Sequence, residues 1–213
     1  MGSIKKELLS GVFYTAIAKY SGILISLIIT GVLARLISPD KFGIVAVVTV
    51  ITFFFSIFSD LGIGAAIIQN KELQQKDLNQ LFSFTVWSGC ILTLLFFLCS
   101  WPISFFYKEP SMKAITQLLA INLFFASANI VPNALLYKAK AFKFLAWRSL
   151  GVQVSGGIIA ILAALGGAGL YTLIINPILS SILLFIISYQ KYPQTLEMTW
   201  GIPSIRKIFK FSA

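Results

Sequence analysis

Histidine is absent from the 213 residues, and cysteine occurs only twice. Without histidine the chain lacks both the commonest metal ligand and the usual general acid or base near neutral pH. Cys90 and Cys99 share one apolar segment. Nine residues of helix would set them about 13 Å apart along the axis and on opposite faces. They cannot pair with each other, no Cys-x-x-Cys occurs, and the disulfide and zinc readings both fail; both read as packing residues. Charge is scarce as well, at 11% of residues, where a soluble domain would have about a quarter. No Walker motif is present, which argues against ATP hydrolysis by the chain itself.

What fills the sequence instead is apolar: 58% hydrophobic residues and a mean hydropathy of +0.90. Six long stretches carry it, at residues 11–37, 42–68, 80–106, 111–137, 147–165 and 169–189. Each meets or approaches the roughly 20 residues that a bilayer requires. Short connections make neighbouring segments antiparallel. The expected fold is an all-α polytopic membrane protein, a six-helix transmembrane bundle over residues 1–190. Residues 191–213 then form a cytoplasmic linker and the start of a seventh helix. The N-terminal run lacks a convincing cleavage site and reads as an uncleaved first helix.

Loop charge sets the expected orientation. Of the 17 basic residues, 12 fall in the N-terminus, the 69–79 and 138–148 loops and the tail after Tyr189; four lie on the other side and Lys19 lies within a span. By the positive-inside rule both termini are cytoplasmic. Dispersal of these charges over several loops argues against a nucleic-acid site.

Lys19 and Asp60 stand out because an ionisable group inside a span is costly and tends to mark function. Both fall eight residues from the inner ends of their segments, about 12 Å deep, so they share a depth. A structural bridge, a transport site in which Lys19 attracts an anionic headgroup while Asp60 takes a coupling proton or cation, and snorkelling of Lys19 all remain open. Polar and small residues recur at helical spacing: Thr15, Lys19, Gly22, Ser26 and Thr30; Thr49, Ser56, Asp60 and Gly64; Asn122, Asn129 and Asn133; Ser149, Gln153, Gly157, Ala160 and Ala164; Thr172, Asn176 and Ser180. Small members suit close helix contact, whereas Lys19, Asp60, Asn122, Asn129, Gln153 and Asn176 are the candidates for a cavity wall, since a larger polar group needs a partner or water. The third segment shows no such stripe and is expected at the lipid-facing periphery. Pro102, Pro132 and Pro177 favour kinks within spans.

Three stretches resemble a known family. Leu33-Ala34-Arg35-Leu36-Ile37-Ser38-Pro39-Asp40-Lys41-Phe42-Gly43 is similar to a signature of bacterial polysaccharide flippases, the Wzx-type exporters of lipopolysaccharide and capsule. Ser59-Asp60-Leu61-Gly62-Ile63-Gly64-Ala65-Ala66-Ile67-Ile68-Gln69 and Phe142-Lys143-Phe144-Leu145-Ala146 match two further family motifs in place. The resemblance implies two six-helix lobes around a central cavity, of which this chain would be the N-terminal one. It implies translocation, without enzymatic chemistry, of an oligosaccharide on an undecaprenyl pyrophosphate carrier across the bacterial inner membrane. No cofactor is expected beyond a coupling proton or sodium ion. The implied partners are the bilayer, the lipid-linked oligosaccharide, a missing C-terminal lobe, and polysaccharide polymerase and glycosyltransferases. Other readings are a cation-coupled multidrug exporter, which acids in the cavity would favour; a membrane-embedded glycosyltransferase, which the short loops disfavour; and an inactive truncated fragment.

Overall fold

A computed structural model describes the backbone of residues 2–60, 62–70 and 72–197, and the side chains of residues 11, 13–59, 62–70 and 72–197. Among these the secondary structure is helical throughout: α1 (Gly2–Leu36), α2 (Pro39–Asp60), α3 (Ile63–Gln69), α4 (Gln75–Tyr107), α5 (Ser111–Ala128), α6 (Ile130–Lys138), α7 (Phe142–Leu165) and α8 (Thr172–Lys191), with a short 3-10 turn at Gly169–Tyr171. Six of the described spans are long and apolar enough to cross a membrane, and the chain is a multi-pass membrane protein.

The element boundaries follow from local chemistry. Pro39 opens α2 in the first turn, where its missing N–H is no loss. A reciprocal pair caps α4: the backbone N–H of Gln74 donates to Asp77 at 3.2 Å, while the Gln74 side chain accepts from the first turn. At the end of α7 the N–H of Gly167 bonds the carbonyl of Ala164, and that of Ala168 bonds Ala163, each at 3.0 Å. This closure requires the left-handed φ of +82° that Gly167 supplies.

Two segments that read as single spans are broken. The second ends as α2 at Asp60 and resumes as α3, with Gly62 at φ +75° between them. The fourth breaks at Asn129, between α5 and α6. Pro132 has no N–H to offer the preceding turn, so the regular hydrogen-bond ladder is interrupted there. The fifth span begins at Phe142, five residues earlier than expected. Residues 192–197 leave α8 and fold back on α4. Gln75 Nε2 donates to Gln194 Oε1 at 2.9 Å, and the N–H of Glu197 donates to Ser83 Oγ at 2.7 Å. The start of a seventh helix, expected near the end of residues 191–213, lies outside the described residues.

The helices form an arc. α1 packs along α7, α7 on α8, α8 on α5, and α5 on α2, with α4 behind α5. α1 and α2 close the two ends of the arc and do not run along each other. They meet near their connecting turn, where Ile29, Leu33 and Ile37 gather with Phe42, Ile161 and Leu173. One core joins α2, α4, α5 and α8 around Val48, Phe96, Leu119 and Ile174. A second, at the other end, joins α3, α4 and α6 around Ile67, Leu81, Phe82 and Val131.

The third segment is not simply peripheral. α4 makes the most extensive helix contact of the fold, against α5. It buries Ser83, Thr85, Gly89 and Ser100, while Trp87, Leu94, Leu98 and Phe105 stay exposed on its other side. The small residues explain the close approach: a side chain at Gly89 would strike Ser127, at 2.7 Å.

Candidate functional site

The arc leaves an open groove between α1 and α2, with α8 as its floor. A cavity of about 500 Å³ occupies its end nearest the α1–α2 turn, within the roughly 300–1,000 Å³ usual for ligand sites. Its polar lining is Ser26 and Thr30 from α1, Thr49 from α2, and Thr172 and Asn176 from α8, with Pro177 beside them. The Thr172 hydroxyl is buried without a hydrogen-bond partner. The amide of Asn176 accepts from Ser180 at 3.2 Å. Among the described residues no Asp, Glu, Lys or Arg lines the cavity. A wall of hydroxyls and an amide donates and accepts hydrogen bonds without a fixed charge. It suits hydroxyl-rich neutral groups.

Each candidate residue now has a place. Asn176 lines the cavity. Lys19 is exposed on α1. Counting about 100° per residue, it lies within about 20° of Ser26 and Thr30 around the helix, and about 10 Å from Ser26 along the axis. It therefore continues the groove stripe away from the cavity. The side chain of Asp60 lies outside the described residues, and the Lys19–Asp60 pairing with it.

The other three candidates do not line this cavity. Gln153 turns to α1, where its Nε2 donates to the carbonyl of Gly22 at 2.8 Å. Asn122 sits half-buried within α5. Asn129 occupies the α5–α6 break, where its carbonyl accepts from the N–H of Asn133 at 2.9 Å and its side-chain oxygen is buried without a partner. The α1 stripe thus divides: Gly22 faces α7, while Ser26 and Thr30 line the cavity. Gly157 likewise serves packing, since a side chain there would collide with Ile29.

One cluster escapes a reading of the sequence alone. Arg148, expected in a solvated loop, lies within α7 and is 9% exposed. Its guanidinium donates to Asn133 Oδ1 of α6 at 2.9 Å and to Ser188 Oγ of α8 at 2.5 Å. The Ser188 hydroxyl in turn donates to the carbonyl of Leu184. Arg148 has no carboxylate partner among the described residues; Nε is buried and unbonded. The available signal was the helical start at Phe142, which places Arg148 in the second turn, with Asn133 already on a polar stripe.

Comparison with known proteins bears on this architecture. A family model described as polysaccharide biosynthesis protein matches residues 32–213. The lipopolysaccharide biosynthesis protein WzxC of Escherichia coli (strain K12) is 27% identical over 158 residues, 74% of this chain and 31% of that protein. The teichuronic acid biosynthesis protein TuaB of Bacillus subtilis (strain 168) is 26% identical over 57% of this chain and 25% of its own length. The succinoglycan biosynthesis transport protein ExoT of Rhizobium meliloti (strain 1021) is 22% identical over 71% of this chain and 31% of its own length. The matched stretch thus spans less than a third of each of these relatives. No solved structure matches the chain. The family match runs from the end of α1 through every later span, so this multi-pass membrane chain belongs to the polysaccharide biosynthesis protein family.

Proposed function

We propose that the chain is the N-terminal lobe of a translocator, moving an oligosaccharide on an undecaprenyl pyrophosphate carrier from the inner to the outer leaflet of a bacterial inner membrane. The uncharged, hydroxyl- and amide-lined cavity between α1, α2 and α8 carries this reading. Neutral sugars present many hydroxyls, and such a wall replaces part of their hydration. A cation exporter would favour a carboxylate here, and none of the described residues that line the cavity carries one. The relatives named for polysaccharide biosynthesis, and the one named for transport, support the same direction.

In this reading the chain works by translocation rather than catalysis. Both termini face the cytoplasm, in keeping with the excess of basic residues at that end. A second lobe closes the groove from the far side, coupled to a proton or sodium ion, and polymerase and glycosyltransferases act before and after it. Lys19, on the groove stripe, supplies positive charge for the pyrophosphate.

The test is Asn176→Leu combined with Thr49→Leu in the complete gene, with surface polysaccharide assayed at matched membrane abundance. The expected result is loss of display with lipid-linked precursor accumulating on the cytoplasmic leaflet. Normal display at normal abundance would overturn the reading.

A further inference from the structure

α4 carries a polar rail at its start. Gln75, Asn79 and Ser83 recur every four residues and so stand in one row along the helix. The chain that leaves α8 lies on this row. Gln75 Nε2 donates to Gln194 Oε1 at 2.9 Å, the N–H of Thr195 donates to Asn79 Oδ1 at 3.3 Å, and the N–H of Glu197 donates to Ser83 Oγ at 2.7 Å. The rail is linked within itself. Gln75 Nε2 also donates to Asn79 Oδ1 at 3.2 Å, and Ser83 Oγ donates to the carbonyl of Asn79 at 2.8 Å.

The register of this contact has a physical origin. From Thr195 to Glu197 the strap advances two residues while the rail advances four. Four helical residues rise about 6 Å, and two extended residues about 6.6 Å. Alternate N–H groups of an extended chain point the same way, so those of Thr195 and Glu197 both reach the rail while that of Leu196 points away. Leu196 is 63% exposed. The rail stops at Ser83, because the next position in the row is Trp87, whose indole accepts no hydrogen bond.

Gln194 fastens the strap. It is 4% exposed. Besides the bond from Gln75, its backbone carbonyl accepts from the Tyr189 hydroxyl at 2.9 Å, and its Nε2 donates to the carbonyl of Tyr192 at 3.4 Å. A buried amide is costly to leave without partners, which favours the docked arrangement. Tyr189 and Tyr192 pack in turn on the core of α3, α4 and α6. α8 otherwise packs on α5, α6 and α7, with α4 behind α5. The strap thus ties the end of α8 to the start of α4 through polar bonds, and α8 is the helix whose Thr172 and Asn176 line the groove.

We propose that residues 192–197 form a latch, which docks in a single register on the Gln75–Asn79–Ser83 rail and holds the end of α8 and the start of α4 as one body. The latch does not depend on the function proposed for the groove.

The experiment places the full chain in nanodiscs and follows amide hydrogen exchange, resolved to single residues by fragmentation in the mass spectrometer. In the wild-type chain, Thr195 and Glu197 exchange at least about tenfold more slowly than Leu196, relative to their intrinsic rates, as expected for bonded amides flanking a free one. Ser83→Ala speeds Glu197 and leaves Thr195 protected. Asn79→Asp, which keeps an acceptor oxygen, leaves Thr195 protected as well. Gln194→Ala releases the strap as a unit: Thr195 and Glu197 approach the rate of Leu196, and exchange rises in residues 75–83 of α4 and 185–191 of α8, with α2 unchanged. Equal exchange of Thr195, Leu196 and Glu197 in the wild-type chain would overturn the proposal. So would a rise confined to residues 192–197 in Gln194→Ala. Thermal unfolding of each variant is compared with wild type; should Gln194→Ala misfold, Gln75→Ala, at an exposed position, carries the same test.

Discussion

Gln153 of α7 donates a hydrogen bond of 2.8 Å to the backbone carbonyl of Gly22 in α1. The bond is possible because Gly22 carries no side chain: a Cβ there would lie 3.0 Å from Gln153 Oε1. The interaction ties the outermost helix of the arc to its neighbour at the level where a bilayer offers no competing water.

Gln153→Leu is therefore expected to cost stability rather than transport. A loss of about 0.6–1.7 kcal/mol is the range for interhelical hydrogen bonds in membranes. Gly22→Val should cost more, because it also pushes Gln153 away. Unfolding of the purified chain in mixed micelles measures both. Surface polysaccharide at matched abundance should remain near wild type for Gln153→Leu.

The Arg148 clasp joins three helices through two neutral acceptors. Asn133→Ala leaves part of a buried guanidinium unpaired, and about 1–3 kcal/mol of destabilisation follows. Arg148→Met removes the charge itself, so adding it to Asn133→Ala should recover part of that loss. A double-mutant cycle on unfolding free energies checks this. Simple additivity would show that the two side chains act independently.

The two helix breaks are linked. The Ser127 hydroxyl, near the end of α5, lies 3.0 Å from the Ser59 hydroxyl, near the end of α2, and 2.8 Å from the carbonyl of Leu123. Beyond both breaks, α3 and α6 pack together around Ile67 and Val131. Gly62→Ala forces a side chain into a left-handed backbone at a cost of about 1 kcal/mol or more. Ser59→Ala is expected to raise amide hydrogen exchange in both α3 and α6, because the shared anchor is lost. A rise confined to α3 would show that the breaks move separately.

Lys19 is the sharpest remaining test among the sequence candidates. If it faces the anionic head of the substrate, Lys19→Ala lowers display by roughly fivefold or more, the effect of losing ~1 kcal/mol, and Lys19→Arg retains it. Exchanging the charges of Lys19 and Asp60 separates a bridge from a site. Restored display in the exchanged pair would assign a bridge and remove Lys19 from the translocation path.

Several of these features were legible from residues alone, for reasons that differ by residue. Apolar runs longer than the bilayer thickness, with charge scarce inside them, leave few alternatives to spanning helices. The turn between α7 and α8 falls in a glycine-rich stretch, where Gly167 and Gly169 take positive φ. Asn176 lines the groove cavity, whereas Gln153, on an equally polar stripe, bonds the backbone of a neighbouring helix. Helical spacing shows which residues share a face, and it cannot show which neighbour that face meets. Arg148 was missed for a related reason: a cation near a helix end reads as solvated until the packing of α6 and α8 closes over it.

The sequence by itself determined the solvent of this protein, its spans and its family, because hydropathy, loop length and short motifs are local properties. Only the tertiary structure decided which polar residues form the groove, which hold helices together, and where the helices break. Those outcomes depend on the arc in which α7 and α8 separate α1 from α2. Residues far apart in the chain, such as Thr30, Thr49 and Asn176, come to face one space only through that packing.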